Sequence, residues 1–384
     1  MEVEENERDK KPPEKLQGWQ RQPHQVTLNI PLTTKLIAIP DSQGLKIEIN
    51  KRPVRSPHLP DGTSSVSIFL VNALPNATPS DCAFIFQTCL MVHCREGFVP
   101  RSNPKGFSSN DLDEAIAALQ YRHDYEFAVG HNVSVSPLLV GEEQEVRCQT
   151  VHTTWIPVTE VPRVAPAALS DVELGMEALA NLRDVKQMKQ KLTPLVTAYR
   201  TWIDNQRKQA IKPPEAIPIA QTLLDKADVA CRRITEGINA LDDPSVLTAF
   251  CLANKVISIA RRRQLCQETD QAIKSFPPPQ WRPFQLAFIL LNLPSLVSPE
   301  HIDRKSVDLL FFPTGGGKTE AYLGIAAFTL ILRRLTYEGI TSAGATVLMR
   351  YTLRLLTLDQ LERASRLICA LELERQQNPQ ILGT

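Results

Sequence analysis

The stretch that decides the fold is Val307-Asp308-Leu309-Leu310-Phe311-Phe312-Pro313-Thr314-Gly315-Gly316-Gly317-Lys318-Thr319-Glu320. An apolar, β-prone run enters three glycines, passes a Lys-Thr pair and continues from Ala321 to Leu335 at helical spacing. That order suits a phosphate-binding loop. Glycines let backbone N–H groups turn inward on a phosphate, and the N-terminus of the following helix adds partial positive charge. Lys318 can reach the β- and γ-phosphates, and the Thr319 hydroxyl can take a place on Mg²⁺. The longer pattern G-x-x-x-x-G-K-[ST] would need Gly at 312, where the chain has Phe, so the match is to the shorter Pro-Thr-Gly-x-Gly-Lys-Thr. The loop reads as a nucleotide site rather than a glycine-rich turn with an incidental lysine.

Outward from the loop, Phe276-Pro277-Pro278-Pro279 forms a stiff linker and a domain boundary. After it, 281–291 predicts a helix, 307–312 a strand, 319–335 a crossover helix and 345–349 a second strand. Residues 357–373 predict another helix, with Leu358, Leu361, Ile368 and Leu371 inward. Strand and helix in alternation predict the start of a parallel α/β domain over 276–384. Upstream, 166–275 carries helical periods. Ser170 and Glu173 form a capping box. Three stripes follow, through Leu192, Leu195, Val196, Tyr199 and Ile203, then Leu224 to Leu241, then Phe250 to Ala260. Arg261-Arg262-Arg263 would close the third helix, where its dipole favours cations; phosphate contact is the sharper alternative.

Residues 26–165 alternate with period two. Strand-like runs lie at 27–30, 45–49, 66–71, 127–129, 133–135 and 151–156, with 83–92 apolar on both faces as a central strand. One helix, 110–121, interrupts this β-rich accessory domain. Residues 1–25, polar and proline-punctuated, read as a mobile arm. The fold class expected is thus multidomain, α+β and then α/β.

The chain of 384 residues is 43% hydrophobic and balances 43 basic against 42 acidic side chains, so no global field announces a nucleic-acid partner. Its eight cysteines form no CxxC pair; Cys89, His93 and Cys94 read as a buried-thiol region rather than zinc ligands. His123, Asp124 and His131 share no periodic face and read as solvated loop residues. The N-terminus shows no secretory core, and the most apolar segment, 284–291, is too short to span a bilayer, so a reducing cytoplasm is expected.

Three ordered segments of the C-terminal hundred residues resemble superfamily-two helicases. Trp281-Arg282-Pro283-Phe284-Gln285 looks like the adenine-reading Gln motif, 312–320 like motif I, and Met349-Arg350-Tyr351-Thr352-Leu353-Arg354-Leu355-Leu356-Thr357 like motif Ia. The wording is closer still to the helicase-like subunits of DISARM bacterial anti-phage systems, and Thr153-Thr154-Trp155-Ile156-Pro157 also looks like their N-terminal region. The resemblance implies a RecA-like lobe that binds ATP and Mg²⁺. Gln285 would meet the adenine edge, Thr314, Gly315, Gly316, Gly317, Lys318 and Thr319 the phosphates, and Thr319 the Mg²⁺ as well. Arg350, Thr352, Arg354 and Thr357 would lie along one DNA strand. Other DISARM subunits such as DrmB are implied as partners, and no membrane is.

Hydrolysis needs a strand-end acid pair and arginines from a second lobe. After Thr319 no apolar strand ends in paired acids; Asp242-Asp243 lies upstream, between helices, and reads as a helix boundary. The expectation is an N-terminal part of an ATP-dependent DNA helicase or translocase, its lobe incomplete and inactive alone. Two rivals stand beside it: a non-helicase P-loop ATPase, and an interaction module with a vestigial nucleotide site.

Overall fold

The structure, a computed structural model, describes residues 22–55, 59–101, 107, 110–141, 146–158, 165, 167–269, 272, 275–312, 315–350 and 354–383, with backbone alone for 354–356. These fall into two compact units, one drawn from 1–103 and 122–159, the other from 104–121 and 160–384. All but a few residues of the expected N-terminal arm lie outside the described residues.

The first unit holds two antiparallel three-stranded sheets. β1 (Lys35–Ala38), β2 (Leu45–Pro53) and β3 (Ser64–Asn72) form one, with β2 central. Period two works here as expected: Ile47 and Ile49 are buried while Lys46 and Glu48, which alternate with them, are not. β4 (Met91–Phe98), β5 (Ser134–Val140) and β6 (Arg147–Thr154) form the other, with β6 central over a small core of Phe127, Cys148 and Val151. Three strand expectations fail. Residues 27–30 and 127–129 have no ladder, and 83–92 is a short turn and irregular chain until β4 begins, with Phe84 and Phe86 exposed and ring against ring. A run apolar on both faces needs two covering layers to become a central strand, and among the described residues 83–90 pairs with no strand. Cys89, expected among buried thiols, is exposed. His123, Asp124 and His131 are exposed as expected.

The second unit is helical: α1 (Leu112–Gln120), α2 (Met176–Asn181), α3 (Val185–Arg207), α4 (Ile217–Ala240), α5 (Pro244–Thr269), α6 (Pro283–Val297), α7 (Lys318–Thr336), α8 (Arg354–Gln377) and α9 (Pro379–Leu382). α1 packs through Ala115 and Leu119 on Ala216, Ile219 and Ala220 at the start of α4. α5 sits at the centre. From Val246 to Ser258 nearly every position is buried, so it carries no polar face over those turns. The helices before the proline linker and those after it share one core, in which Met188, Leu192, Phe250, Leu286, Leu290, Leu293, Ala327 and Phe328 are fully buried.

The first helix of this set starts later than the capping box predicts. α2 begins at Met176, and Glu173 instead accepts from the Gly175 N–H at 2.8 Å. The three arginines do not close α5, which runs on to Thr269. Arg262 instead ties it to α2 and the linker: its guanidinium meets Glu177 and donates to the Phe276 carbonyl at 2.7 Å, and it holds the Glu177 carboxyl below the usual carboxylate range. Asp243 accepts from the Ser245 amide at 2.7 Å, capping the N-terminus of α5, as a helix boundary requires.

α8 is turned from its expected phase. Leu367, Ala370 and Glu374 face the core, Leu371 is partly buried, and Leu358, Leu361 and Ile368 are exposed. Polar pairing selects this face. Glu374 Oε1 accepts from Lys255 of α5 at 2.7 Å and from Asn378 at 2.9 Å, which offsets part of the cost of burying its charge, while Oε2 is buried without a hydrogen-bond partner among the described residues.

The larger departure is the parallel sheet. Neither 307–312 nor 345–349 belongs to a sheet among the described residues. A strand is stable only in a ladder, and these two stretches do not form one with each other.

Candidate nucleotide site

The site is assembled on the start of α6. Trp281 is buried, and its indole N–H donates to Asn254 Oδ1 of α5 at 2.7 Å while its backbone N–H donates to the Leu174 carbonyl at 2.8 Å. Pro283 takes the first helical position, where its missing N–H costs nothing. Gln285, two residues on, accepts from the Arg282 N–H at 2.7 Å and so caps the helix. α7 lies against the same turn: a methyl placed on Gly324 would come 2.7 Å from Ile289 and 3.0 Å from Trp281.

Arg282 and Gln285 then reach the glycine loop. Arg282 Nη1 donates to the Gly316 carbonyl at 2.5 Å, and Gln285 Nε2 to the Gly317 carbonyl at 2.6 Å. In a trans peptide the N–H points opposite to its C=O. With both carbonyls drawn to α6, the N–H groups of Gly317 and Lys318 are directed to the other side, the orientation an anion needs. Gly315 and Gly317 have φ of +78° and +84°, the left-handed region where a side chain is strained, and Gly317 is the N-cap of α7.

The approach to the loop is fixed as well. Asp308 receives both Nη atoms of Arg233 from α4, at 2.6 and 2.8 Å, and Phe312 stacks on Phe284 with centroids 4.0 Å apart. Lys318 turns back to donate to the Phe312 carbonyl, closing the loop on its own base. Glu320, in the first turn of α7, meets Arg363 of α8. Thr319 follows Lys318 in that same turn.

The expected site residues are therefore placed unevenly. Gly315, Gly316, Gly317, Lys318 and Gln285 come together, while Thr314 lies outside the described residues. Gln285 has both polar atoms engaged, one on the loop and one on its own helix start. Of the residues expected along DNA, Arg350 is exposed on irregular chain and Thr357 is exposed in the first turn of α8. Thr352 and the Arg354 side chain lie outside the described residues. Sequence reading missed the loop contact of Arg282 and the pairs Arg233–Asp308 and Glu320–Arg363. Only the first had a local signal, an arginine directly before the proline that starts a helix; the two pairs bring together residues 75 and 43 positions apart.

No family model matches the chain. It is 32% identical, over an alignment of 366 positions that covers 88% of its length, to the DISARM protein DrmA of Bacillus paralicheniformis. The chain is a relative of part of DrmA. It spans 31% of that protein's length, as an N-terminal part would. The match takes in far more than the glycine loop, since the loop and everything after it make up only the last fifth of the chain. Among the described residues no helix is long and apolar enough to cross a membrane.

Proposed function

We infer that this chain is the nucleotide-binding portion of a DISARM-type, ATP-dependent DNA helicase or translocase that acts in bacterial phage defence in the cytoplasm. ATP would lie with its phosphates against Gly315, Gly316, Gly317 and Lys318, and Mg²⁺ at the Thr319 hydroxyl. The observation that carries this reading is the loop itself, whose carbonyls are held by Arg282 and Gln285 so that its amides face away at the head of a 19-residue helix. The relationship to DrmA supports the phage-defence setting, and in this reading other DISARM subunits such as DrmB would be the partners. Without a strand-end acid pair after the loop, the chain alone is expected to bind nucleotide and not to turn it over.

In this reading Gln285 positions the loop instead of reading the base. Its test is a titration of the purified chain with fluorescent ATP and GTP analogues in Mg²⁺. Gln285→Ala is expected to weaken both by about tenfold, the worth of one or two hydrogen bonds at about 1 kcal/mol each. A loss confined to ATP would return Gln285 to the adenine edge, and no binding of either nucleotide to the parent chain at millimolar concentration would sink the proposal.

The DNA-facing role rests on Arg350 and Thr357. Binding of a fluorescent single strand should weaken with salt, with a log–log slope of roughly −0.7 for each phosphate neutralised. Arg350→Ala should reduce that slope by about 0.7. A slope unchanged by the substitution would remove Arg350 from the interface.

A further inference from the structure

Glu320 stands where a phosphate site tolerates negative charge least. It is the acidic residue of the first turn of α7, two positions after Lys318, and its Oε2 lies 3.2 Å from the point where a side chain on Gly317 would begin. The helix dipole favours a carboxylate there, yet a phosphate would use the same dipole at the same end of the helix. Glu320 is not left bare. Arg363 of α8 donates to its Oε1, with both side chains 21% exposed, while Oε2 is buried without a hydrogen-bond partner among the described residues. Ile257 and Ala260 of α5, Leu323 of α7 and Leu367 of α8 line the cleft in which the pair lies, so its charges are screened less than those of a surface pair. The other guanidiniums of that cleft are engaged elsewhere: Arg261 donates to Gln264 at 2.8 Å, and Arg366 meets Glu362.

We propose that Arg363 is a positioning residue for the phosphate seat: it holds Glu320 by one oxygen and offsets its charge, so that the head of α7 stays attractive to an anion. The proposal rests on the reading of the glycine loop as a phosphate site. Without Arg363 the carboxylate keeps its full charge beside Gly317, and a glutamate at the third helical position can reach back toward the N-cap amide. Either outcome sets Glu320 against an incoming phosphate. Without Glu320, Arg363 instead adds an unopposed positive charge to the site. A plain structural tie between α7 and α8 makes a different demand, because such a tie is lost equally whichever partner is changed.

The sign of the effect separates the two. Arg363→Gln, Glu320→Gln and the double variant are compared with the parent chain by titration with a fluorescent ATP analogue in Mg²⁺ and, separately, by calorimetric titration with inorganic pyrophosphate. Arg363→Gln is expected to weaken the analogue about tenfold, the scale of one uncompensated charge near a phosphate at the effective dielectric of a protein surface. Glu320→Gln is expected to tighten it about threefold, and the double variant to bind within about threefold of the parent. The melting temperatures of the two single variants should fall alike, since each loses the same ion pair. Weaker binding in both single variants, or an affinity of Arg363→Gln within about twofold of the parent, overturns the proposal. Pyrophosphate tells its failure from that of the nucleotide reading. If pyrophosphate binds in the same order of charge and the ATP analogue does not bind, the nucleotide reading falls and Arg363 keeps its role; if neither binds, both fall.

Discussion

Gly237→Ala is expected to destabilise the helical unit by about 2 kcal/mol or more and to lower its melting temperature by about 4–8 °C. α4 crosses α6 at Gly237 with no room for a side chain: a methyl there would sit 1.9 Å from the Leu290 carbonyl oxygen and 2.6 Å from its carbon. Both are backbone atoms in a helix, so no rotamer change relieves the clash. Alanine gains about 1 kcal/mol in helix propensity over glycine. Overpacking against a rigid neighbour costs about 3 kcal/mol, the upper end of its usual range, so the clash wins. The helices can separate only by opening the core around Ile234, Ile238, Leu290 and Leu293. α6 cannot simply slide, because Trp281 is held by Asn254 at one end. Its first turn carries Arg282 and Gln285, so the variant should also loosen the glycine loop. Calorimetry checks the first effect, and a variant melting within about 2 °C of the parent would mean that the two helices do not cross this closely.

How far the fold was legible follows from which forces set each part. The stripe through Leu192, Leu195 and Ile203 marks α3 correctly because its burial repeats at helical spacing, and the run from Phe250 to Ala260 marks α5 because it is long and apolar, being buried on nearly every side. The phase of α8 was not legible. Leu358, Leu361 and Ile368 make the better apolar stripe, yet Glu374 is turned inward by Lys255, which lies 119 residues away in sequence. The runs 307–312 and 345–349 read as strands and have strand composition. Composition can prepare a strand, but the ladder comes from neighbours, and neither run supplies one for the other. In the site, the glycines and Lys318 were legible because local backbone freedom and a single charge define them. The engagement of Gln285 with Gly317 was not, since it depends on how closely α6 and α7 approach.

Lys318→Ala is expected to lower affinity for a fluorescent ATP analogue by about 30- to 100-fold. In the structure the ammonium of Lys318 donates to the Phe312 carbonyl. Nucleotide must draw it away, and the exchange can be weighed. A hydrogen bond from a charged donor to a carbonyl contributes about 1.5–3 kcal/mol. A unit charge about 4 Å from a phosphate charge, at the effective dielectric of a protein surface, contributes about 4 kcal/mol, and more than one phosphate oxygen carries charge. The phosphate side of the exchange is larger by about 2–3 kcal/mol, which sets the expected loss. A melting experiment reads the same balance independently. At a hundredfold excess of ATP over its Kd, the parent chain should be stabilised by about 2.7 kcal/mol, and the variant at the same concentration by about 0.4–0.9 kcal/mol. The apo variant should melt close to the parent, because water can replace the ammonium at the Phe312 carbonyl. If nucleotide affinity instead stays within twofold of the parent, the loop closed on Phe312 is its resting and final state. The glycines would then serve only to turn the chain into α7, and the module would act through its surfaces.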